Sequence, residues 1–235
     1  MGNVFRFKKF GVDQSGCAMK INTDGVLLAA VATANMDSGR ILDIGTGTGV
    51  IALMLAQRFP LAQVDAVEID GVAAERAGLN FRSSDFSSRT TAHHTSIMDY
   101  ESTHPYDLIV SNPPFFVNDL KNPEVRKGIA RHADEQFFDG LLTKAAELLA
   151  PDGVFWLILP VKQADWMLNS AASFNLFLRH QIDVCSDESK PVIRRILCLS
   201  PHLSSIKKET FYIYQSQGVY TDAYRSLLKD FFLAF

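Results

Sequence analysis

The chain has 235 residues, 47% of them hydrophobic, which is enough to form one sizeable core. Its formal net charge of −3 and pI near 6.1 exclude a strongly basic protein, so any nucleic-acid contact must come from local patches. Cys17, Cys185 and Cys198 form no CxxC pair, we expect no signal peptide, and no apolar run reaches roughly 18 residues. These features favour a reduced cytoplasmic protein with neither a membrane span nor a disulfide framework.

The N-terminal segment, residues 1–20, mixes cations with aromatic rings. The alternation in VFRFK predicts an extended arm or strand. Ammonium groups suit phosphates and rings suit stacked bases, which makes Lys8, Lys9 and Lys20 candidate RNA contacts. A solvated edge strand over the core explains the same pattern equally well. The following KINTDG leads into an apolar helix over 26–32 that Asn22, Thr23 or Asp24 can cap.

A glycine-rich turn follows the next apolar run, in ILDIGTGTG (residues 41–49), and predicts a strand, a tight turn and a helix over 50–58. Val50 occupies the place of the third glycine of a dinucleotide fingerprint, and the lysine of a P-loop is absent from this stretch. Asp43, two residues before Gly45, would repel a pyrophosphate. It suits a cationic ligand that carries an amino group, such as S-adenosylmethionine.

Two acidic residues end the second predicted strand, 64–70. Glu68 lies 21 residues after Gly47, a spacing at which a carboxylate commonly binds ribose hydroxyls. Asp70 better fits the N-terminus of a helix over 71–81. A short third strand over 89–94 ends near Ser96, which we expect to border the adenine of such a cofactor.

The stretch SNPPFF (residues 111–116) follows a buried strand over 106–110, and its two prolines end that strand. The Asn112 side-chain oxygen and the Pro113 carbonyl are two acceptors suited to the two hydrogens of a planar amine. Phe115 can stack on a flat ring beside that amine. A proline-rich loop with a core phenylalanine is the alternative interpretation.

Cations recur after this turn, at Lys121, Arg126, Lys127 and Arg131, in a segment that we interpret as a loop. It is either a mobile loop over a substrate or an ordinary solvated loop. Beyond it, the pattern predicts helices over 137–150 and 163–173, strands over 154–159, 178–184, 195–199 and 211–214, and a docked helical tail over 220–235.

Strands alternate with helices from residue 40 to residue 159, which predicts a doubly wound parallel sheet, with a hairpin among the late strands. Together with the glycine turn, Glu68 and the Asn-Pro-Pro-Phe turn, the chain resembles class I S-adenosylmethionine-dependent methyltransferases that modify planar amino nitrogens. Segments 5–10, 17–20, 23–28 and 130–131, Arg194 with 197–201, and segment 220–224 are similar to the bacterial tRNA1(Val) (adenine-37)-N6-methyltransferases. Phe115 stands where that family usually has tyrosine, and Ser96 where many relatives have aspartate.

This resemblance implies a Rossmann-like α/β fold with a mostly parallel seven-stranded sheet, an antiparallel edge hairpin and helices on both faces. It also implies one domain over residues 1–235, with a basic arm and capping helix over 1–35 and a catalytic core over 36–235. The implied reaction is N6-methylation of adenine 37 in the anticodon loop of a valine tRNA, with S-adenosylmethionine converted to S-adenosylhomocysteine. A cytoplasmic monomer without a metal is expected.

The implied site residues fall into three groups. The cofactor group is Asp43, Gly45, Gly47, Gly49, Glu68, Ser96 and Asn112. The amine and base group is Asn112, Pro113 and Phe115. The candidate phosphate contacts are Lys8, Lys9, Lys20, Arg126, Lys127, Arg131 and Arg194.

Three other functions stay open at this point. Guanine-N2 methylation of ribosomal RNA uses the same chemistry, and Phe115 favours it slightly, although such enzymes often carry an extra N-terminal domain. N5-methylation of a glutamine side chain in a translation factor also presents an NH₂ to this kind of turn. A cofactor-binding module without catalysis is the third, and the presence of both Asn112 and Phe115 argues against it.

Overall fold

A computed structural model describes residues 4–17, 19–36, 38–114 and 123–235, of which 123–134 are described as helical backbone only. The strands are β1 Val4–Arg6, β2 Gly11–Asp13, β3 Arg40–Ile44, β4 Gln63–Glu68, β5 Thr90–His94, β6 Tyr106–Ser111, β7 Leu149–Leu159, β8 Phe177–Cys185, β9 Val192–Ser200, β10 Lys207–Tyr212, β11 Tyr214–Ser216 and β12 Val219–Tyr220. The helices are α1 Thr23–Val31, α2 Val50–Arg58, α3 Gly71–Arg82, α4 Pro123–Leu148, α5 Val161–Ser170 and α6 Asp222–Leu228, with 3₁₀ turns at Ser87–Arg89, Ile97–Asp99 and Ala171–Phe174.

The central sheet has the strand order β10-β8-β9-β7-β6-β3-β4-β5. Strands β5, β4, β3, β6 and β7 are parallel, and β9 pairs antiparallel with both β7 and β8. The predicted doubly wound fold is confirmed. The sheet has eight strands rather than seven because β10 pairs in parallel with β8 and covers the outer side of the hairpin.

Alternate residues of the central strands point into two cores, one on each face of the sheet. In β6, Leu108 and Val110 join the core under α1 and α2, whereas Ile109 joins the core under α4 and α5. Burial on both faces explains why the strands are continuous apolar runs, as parallel sheets require. Within the described ranges, no helix is both long and apolar enough to cross a membrane.

The N-terminal hairpin β1–β2 has an exposed first strand, and the rings at its turn lie in the core. Phe7 and Phe10 are buried and stack with their ring centroids 4.5 Å apart. The idea that the rings of this arm stack on RNA bases is therefore wrong for these two residues. Lys8 Nζ donates to the carbonyls of Lys229 and Phe235, at 2.5 and 2.7 Å. The ammonium that the sequence predicts to contact phosphate is therefore bonded within the chain.

The C-terminal tail docks as predicted. Helix α6 and the residues after it bury Tyr224, Leu228 and Phe231 in the same core that holds α1 and α2. The Lys8 amide also donates to the Phe231 carbonyl at 2.8 Å. The two ends of the described chain are thus packed together, and hydrophobic burial is the main stabilising term there.

The prediction of a loop over 121–132 is wrong from Pro123 onward, because α4 begins at that residue. Proline is favoured at the first helical position, where its missing N–H has no partner to lose, and Glu124 suits the first turn. The concentration of cations concealed this start signal. Backbone geometry alone is described for Arg126, Lys127 and Arg131, so their predicted phosphate contacts remain predictions.

Gly49 is required where it stands. It caps α2 with φ of 86°, and an added Cβ would lie 2.5 Å from Cε1 of Phe81. We expect Gly49→Ala to lower the free energy of unfolding by roughly 3 kcal/mol. Two costs combine there: the strain of an alanine in the left-handed conformation and its overpacking against Phe81. Gly218→Ala is the matched control, since its φ is 76° but its Cβ would meet nothing within 4 Å. Equal denaturation midpoints for the two variants would contradict the clash.

Candidate active site

A cavity of about 380 Å³ opens at the carboxyl ends of the parallel strands. Crevices at this edge are where open α/β sheets bind ligands, and the volume lies in the range of small-molecule sites. Its wall combines 44–48 at the end of β3, 67–69 at the end of β4, 95–98 after β5, 111–114 at the end of β6 and 19–22 before α1. Four helix residues, Gly25, Val50, Ile51 and Phe137, complete it. The glycine turn and the Asn-Pro-Pro turn therefore face one space.

The glycine turn is held by hydrogen bonds from its backbone amides to residues at the end of β4. The amides of Gly45 and Thr46 donate to the Val67 carbonyl at 2.8 and 3.1 Å, and the Gly47 amide donates to Glu68 Oε2 at 2.8 Å. Gly45 and Gly47 have positive φ, and a Cβ added to either would meet nothing within 4 Å. Side chains there would project into open space, so these glycines leave a cradle for a ligand.

Asp43 is buried behind this turn and holds it through hydrogen bonds. It is fully buried, and Oδ2 accepts hydrogen bonds from Thr46 Oγ1 at 2.5 Å and from the Ala52 amide at 3.1 Å. Burial raises the pKa of Asp43 to about 7, against the opposing effect of those two hydrogen bonds. Oδ1 is buried and has no partner among the described residues. Asp43 is not among the described residues that line the cavity.

Glu68 lines the cavity with a carboxylate fixed by two backbone amides, from Gly47 to Oε2 and from Asp70 to Oε1 at 2.9 Å. Asp70 caps α3, as its Oδ1 accepts from the Ala73 amide at 2.8 Å. The capping role expected of Asp70 is therefore confirmed, and the ribose role of Glu68 stays a prediction. Ser96 lines the cavity too, and its Oγ accepts from the Met98 amide at 3.2 Å.

The Asn-Pro-Pro turn is anchored to the glycine turn through Ser111, whose Oγ donates to the Ile44 carbonyl at 3.0 Å. Asn112 and Pro113 line the cavity, and in the described part of the chain neither the Asn112 side chain nor the Pro113 carbonyl has a hydrogen-bond partner. A Cβ on Gly25 would lie 3.5 Å from Asn112 Nδ2, so the first turn of α1 approaches this amide closely. Phe115 lies outside the described residues.

The sequence interpretation missed part of the wall. Met19, Ile21 and Asn22 border the cavity, although only capping was considered for Asn22. Ile69 also borders it and is 70% exposed, which is unusual for an isoleucine next to a buried strand. The signal available in the sequence is an apolar residue between two acids, Glu68 and Asp70, at a strand exit.

The cationic candidates are in different situations. Lys20 lines the cavity, and its Nζ donates to the Gln14 carbonyl at 2.7 Å. Arg194 Nε donates to Asp24 Oδ2 at 2.7 Å, which joins the start of β9 to the first turn of α1. Lys9 is exposed and forms no ion pair within the described ranges. No group of three or more potential metal ligands occurs among the described residues, and the absence of a metal stays a prediction.

The strand order, the glycine turn and an Asn-Pro-Pro turn facing one cavity define a class I methyltransferase of the S-adenosylmethionine-dependent fold. The family model that matches residues 17–165 is the Methyltransferase small domain. The chain is 57% identical to the tRNA1(Val) (adenine(37)-N6)-methyltransferase of Pedobacter heparinus over 100% of both chains. It is 41% identical to the enzyme of the same name from Dyadobacter fermentans over 98% of both. The chain belongs to the tRNA1(Val) (adenine(37)-N6)-methyltransferase family, which confirms the resemblance predicted from sequence.

A solved structure supports the fold independently. A predicted O-methyltransferase from Agrobacterium tumefaciens superposes with a TM-score of 0.69 at 16% identity, over 88% of this chain and 96% of that one. At that identity the likeness concerns the fold alone. The predictions of a methyltransferase fold and of an enzyme are confirmed, whereas the roles assigned to individual residues are proposals.

Proposed function

We propose that this enzyme methylates the exocyclic N6 amine of adenine 37 in tRNA1(Val), with S-adenosylmethionine as the methyl donor. The observation that carries the proposal is the placing of the Asn112–Pro113 acceptors and the glycine turn on one cavity. Full-length identity of 57% to a relative named for this reaction supports the choice of base and RNA.

The residues present fit the proposed cofactor. Gly45 and Gly47 leave an open cradle, and the fixed Glu68 carboxylate suits a pair of ribose hydroxyls. Asp43 Oδ1, under the turn, is a buried acceptor, and a ligand ammonium nearby would favour its charged form. Ser96 lies on the wall where we expect the adenine. When bound, S-adenosylmethionine supplies an electrophilic methyl group and is released as S-adenosylhomocysteine.

On the same cavity, Asn112 and Pro113 act on the target amine. The Asn112 amide oxygen and the Pro113 carbonyl each accept one hydrogen of the NH₂, which orients the nitrogen and raises its electron density. The nitrogen becomes acidic only once its new bond to carbon forms, so neither residue has to remove a proton beforehand, and the proton then leaves to water. Positioning and fixed dipoles then supply the rate. The stacking role of Phe115 stays a prediction.

An anticodon loop is a suitable substrate for this site. A base inside a duplex must leave its stack, at a cost of a few kcal/mol, before it can enter a pocket. Loop bases are already partly exposed, and sequence-specific RNA recognition concentrates on them. The cavity lies at one edge of the sheet and is partly open, which suits the entry of a single base.

Mass spectrometry of tRNA nucleosides tests the proposal. Total RNA and soluble protein from cells that lack this enzyme are incubated with the protein and isotopically labelled S-adenosylmethionine, and the tRNA, ribosomal RNA and protein fractions are then digested and analysed separately. We expect labelled N6-methyladenosine in one valine tRNA and in no other isoacceptor. Label in N2-methylguanosine of ribosomal RNA, or in a glutamine of a co-purified translation factor, would replace the proposal with one of its alternatives.

The Asp24–Arg194 ion pair gives a prediction that separates turnover from RNA binding. Because Arg194 holds the first turn of α1 beside Asn112, we expect Arg194→Gln and Asp24→Asn to lower turnover alike, by roughly threefold for a partly exposed pair. The tRNA dissociation constant should stay within about twofold for both, and the charge swap D24R/R194D should recover turnover.

Lys9→Glu is the contrasting variant in the same titration. It should weaken tRNA binding and reduce the slope of log affinity against log salt by about one or more, as expected for a phosphate contact. If Arg194→Gln showed this salt signature and Asp24→Asn did not, Arg194 would be the phosphate contact that its sequence position suggested.

A further inference from the structure

Asn80 of α3 is a buried amide that the proposed chemistry does not use. It is 4% exposed, and its side chain forms three hydrogen bonds. Oδ1 accepts from the Asp13 amide at 2.9 Å, and Nδ2 donates to the Asp13 carbonyl at 3.0 Å and to the Thr48 carbonyl at 2.9 Å. One side chain thus bonds to both backbone groups of a residue in the N-terminal hairpin and to the glycine turn.

The bond to Thr48 acts on the most adaptable part of the site. Thr48 stands between Gly47 and Gly49, which have φ of 58° and 86°, and glycine permits a peptide unit to rotate at little steric cost. The Gly49 amide donates to the Thr46 carbonyl at 3.0 Å. With Asn80 on the Thr48 carbonyl, both polar ends of the Thr48–Gly49 peptide are fixed, and the turn is held in one conformation.

The bonds to Asp13 act on another part of the cavity wall. The next residue, Gln14, accepts from Lys20 Nζ through its carbonyl and from the Ile21 amide through Oε1, both at 2.7 Å. Lys20 and Ile21 line the cavity, as does Thr48. A chain of hydrogen bonds therefore runs from the glycine turn through Asn80 and the hairpin to the N-terminal wall.

We propose that Asn80 is a positioning residue that holds the two walls of the cofactor cavity in register, so that cofactor affinity depends on it although it touches no ligand. The inference rests on the proposed cofactor. A buried donor or acceptor left without a partner is costly, and after loss of Asn80 the Thr48 carbonyl and both Asp13 groups gain by moving toward water. The turn then samples conformations that do not bind.

The test measures S-adenosylhomocysteine binding by calorimetry well below the melting temperature, together with amide hydrogen exchange of the ligand-free protein. Asn80→Leu keeps the branched shape and removes all three bonds. We expect its dissociation constant to rise roughly tenfold or more, with faster exchange in the peptide covering 43–53. In steady state, KM for S-adenosylmethionine should rise while kcat stays within about twofold.

Arg76→Gln is the matched control. Arg76 lies on the same helix and pairs with Asp13 Oδ2 at 2.7 Å, but it makes no bond to the glycine turn in the described structure. It should lower stability slightly and leave the dissociation constant within twofold. Asn80→Ser, which keeps one hydroxyl donor, should give an intermediate value and serves if Asn80→Leu does not fold.

The parent protein allows a further measurement that needs no variant. Saturating S-adenosylhomocysteine should slow exchange in 43–53 and also in 11–17, which lies outside the cavity wall. The inference about Asn80 would be overturned if folded Asn80 variants bound S-adenosylhomocysteine as tightly as the parent does. It would also be overturned if the ligand slowed exchange in 43–53 but not in 11–17. Failure of the parent to bind S-adenosylhomocysteine would instead overturn the proposed cofactor.

Discussion

Asn112→Ala is expected to reduce methyl transfer to tRNA by about a thousandfold or more, while S-adenosylhomocysteine binding stays within a few-fold of the parent. The side chain has no hydrogen-bond partner among the described residues and faces the cavity, so its removal leaves the fold intact. What is lost is one of the two acceptors that orient the amine. Single-turnover kinetics with saturating tRNA and cofactor measure this change directly.

Asn112→Asp is the control for this prediction. Its carboxylate places an oxygen where the amide oxygen stands, so part of the activity should survive, whereas the alanine variant has no acceptor there. Nearly equal rates for the parent and the alanine variant would remove Asn112 from the chemistry. A large loss of cofactor affinity in the alanine variant would instead assign it to cofactor binding.

Asp43→Ala is expected to weaken S-adenosylhomocysteine binding by at least about thirtyfold, because the buried Thr46 hydroxyl and Ala52 amide lose their acceptor together. Both belong to the turn and to the helix after it, so the cradle loosens. Calorimetric titration at a temperature where the variant is folded provides the measurement. Affinity equal to the parent's would show that the cofactor pocket is misplaced.

The pKa of Asp43 adds a pH dependence with a definite sign. Because burial raises that pKa from 3.8 to about 7, the folded protein holds a proton that the unfolded chain has released between these values. The Asp43 contribution to stability is therefore present below about pH 4 and is lost as the pH rises through 7. Ligand-free Asp43→Asn should show a flatter dependence of unfolding free energy on pH over this range.

Ligand binding should respond in the opposite direction. A cationic amino group favours the ionised carboxylate, so affinity for S-adenosylhomocysteine should rise by up to about tenfold between pH 6 and pH 8 in the parent. Asp43→Asn should bind weakly at every pH, without that rise. A parent affinity that does not change across this range would show that Asp43 acts on the turn alone.

Much of the site could be predicted because its elements are local. The helix Val50–Arg58 after the glycine turn and the capping role of Asp70 depend on residues within a few positions of each other, and both predictions are confirmed. The three-dimensional meeting of Gly47 and Asn112 was predictable in outline, because parallel strands end at one edge of a sheet.

Other features depend on partners far away in the chain. Asp43 was expected at the ligand but lies under the turn, since its burial is decided by packing around Thr46 and Ala52. Phe7 and Phe10 pattern like an exposed arm and are core residues, because Phe232 packs on Phe7 and Phe86 packs on Phe10. Lys8 and Arg194 form contacts with residues more than 150 positions distant.

For this protein, the sequence by itself determined the order of strands and helices, the two turns that carry the chemistry, and the family, since these reside in periodicity, turn residues and short motifs. Only the tertiary structure decided which polar groups are free for a ligand and which are used to hold the cavity together. Asn112 and Asn80 carry the same amide, yet one is open to the cavity and the other is buried among three backbone bonds. That difference comes from long-range packing, which places hydrogen-bond partners around Asn80 and leaves Asn112 facing open space.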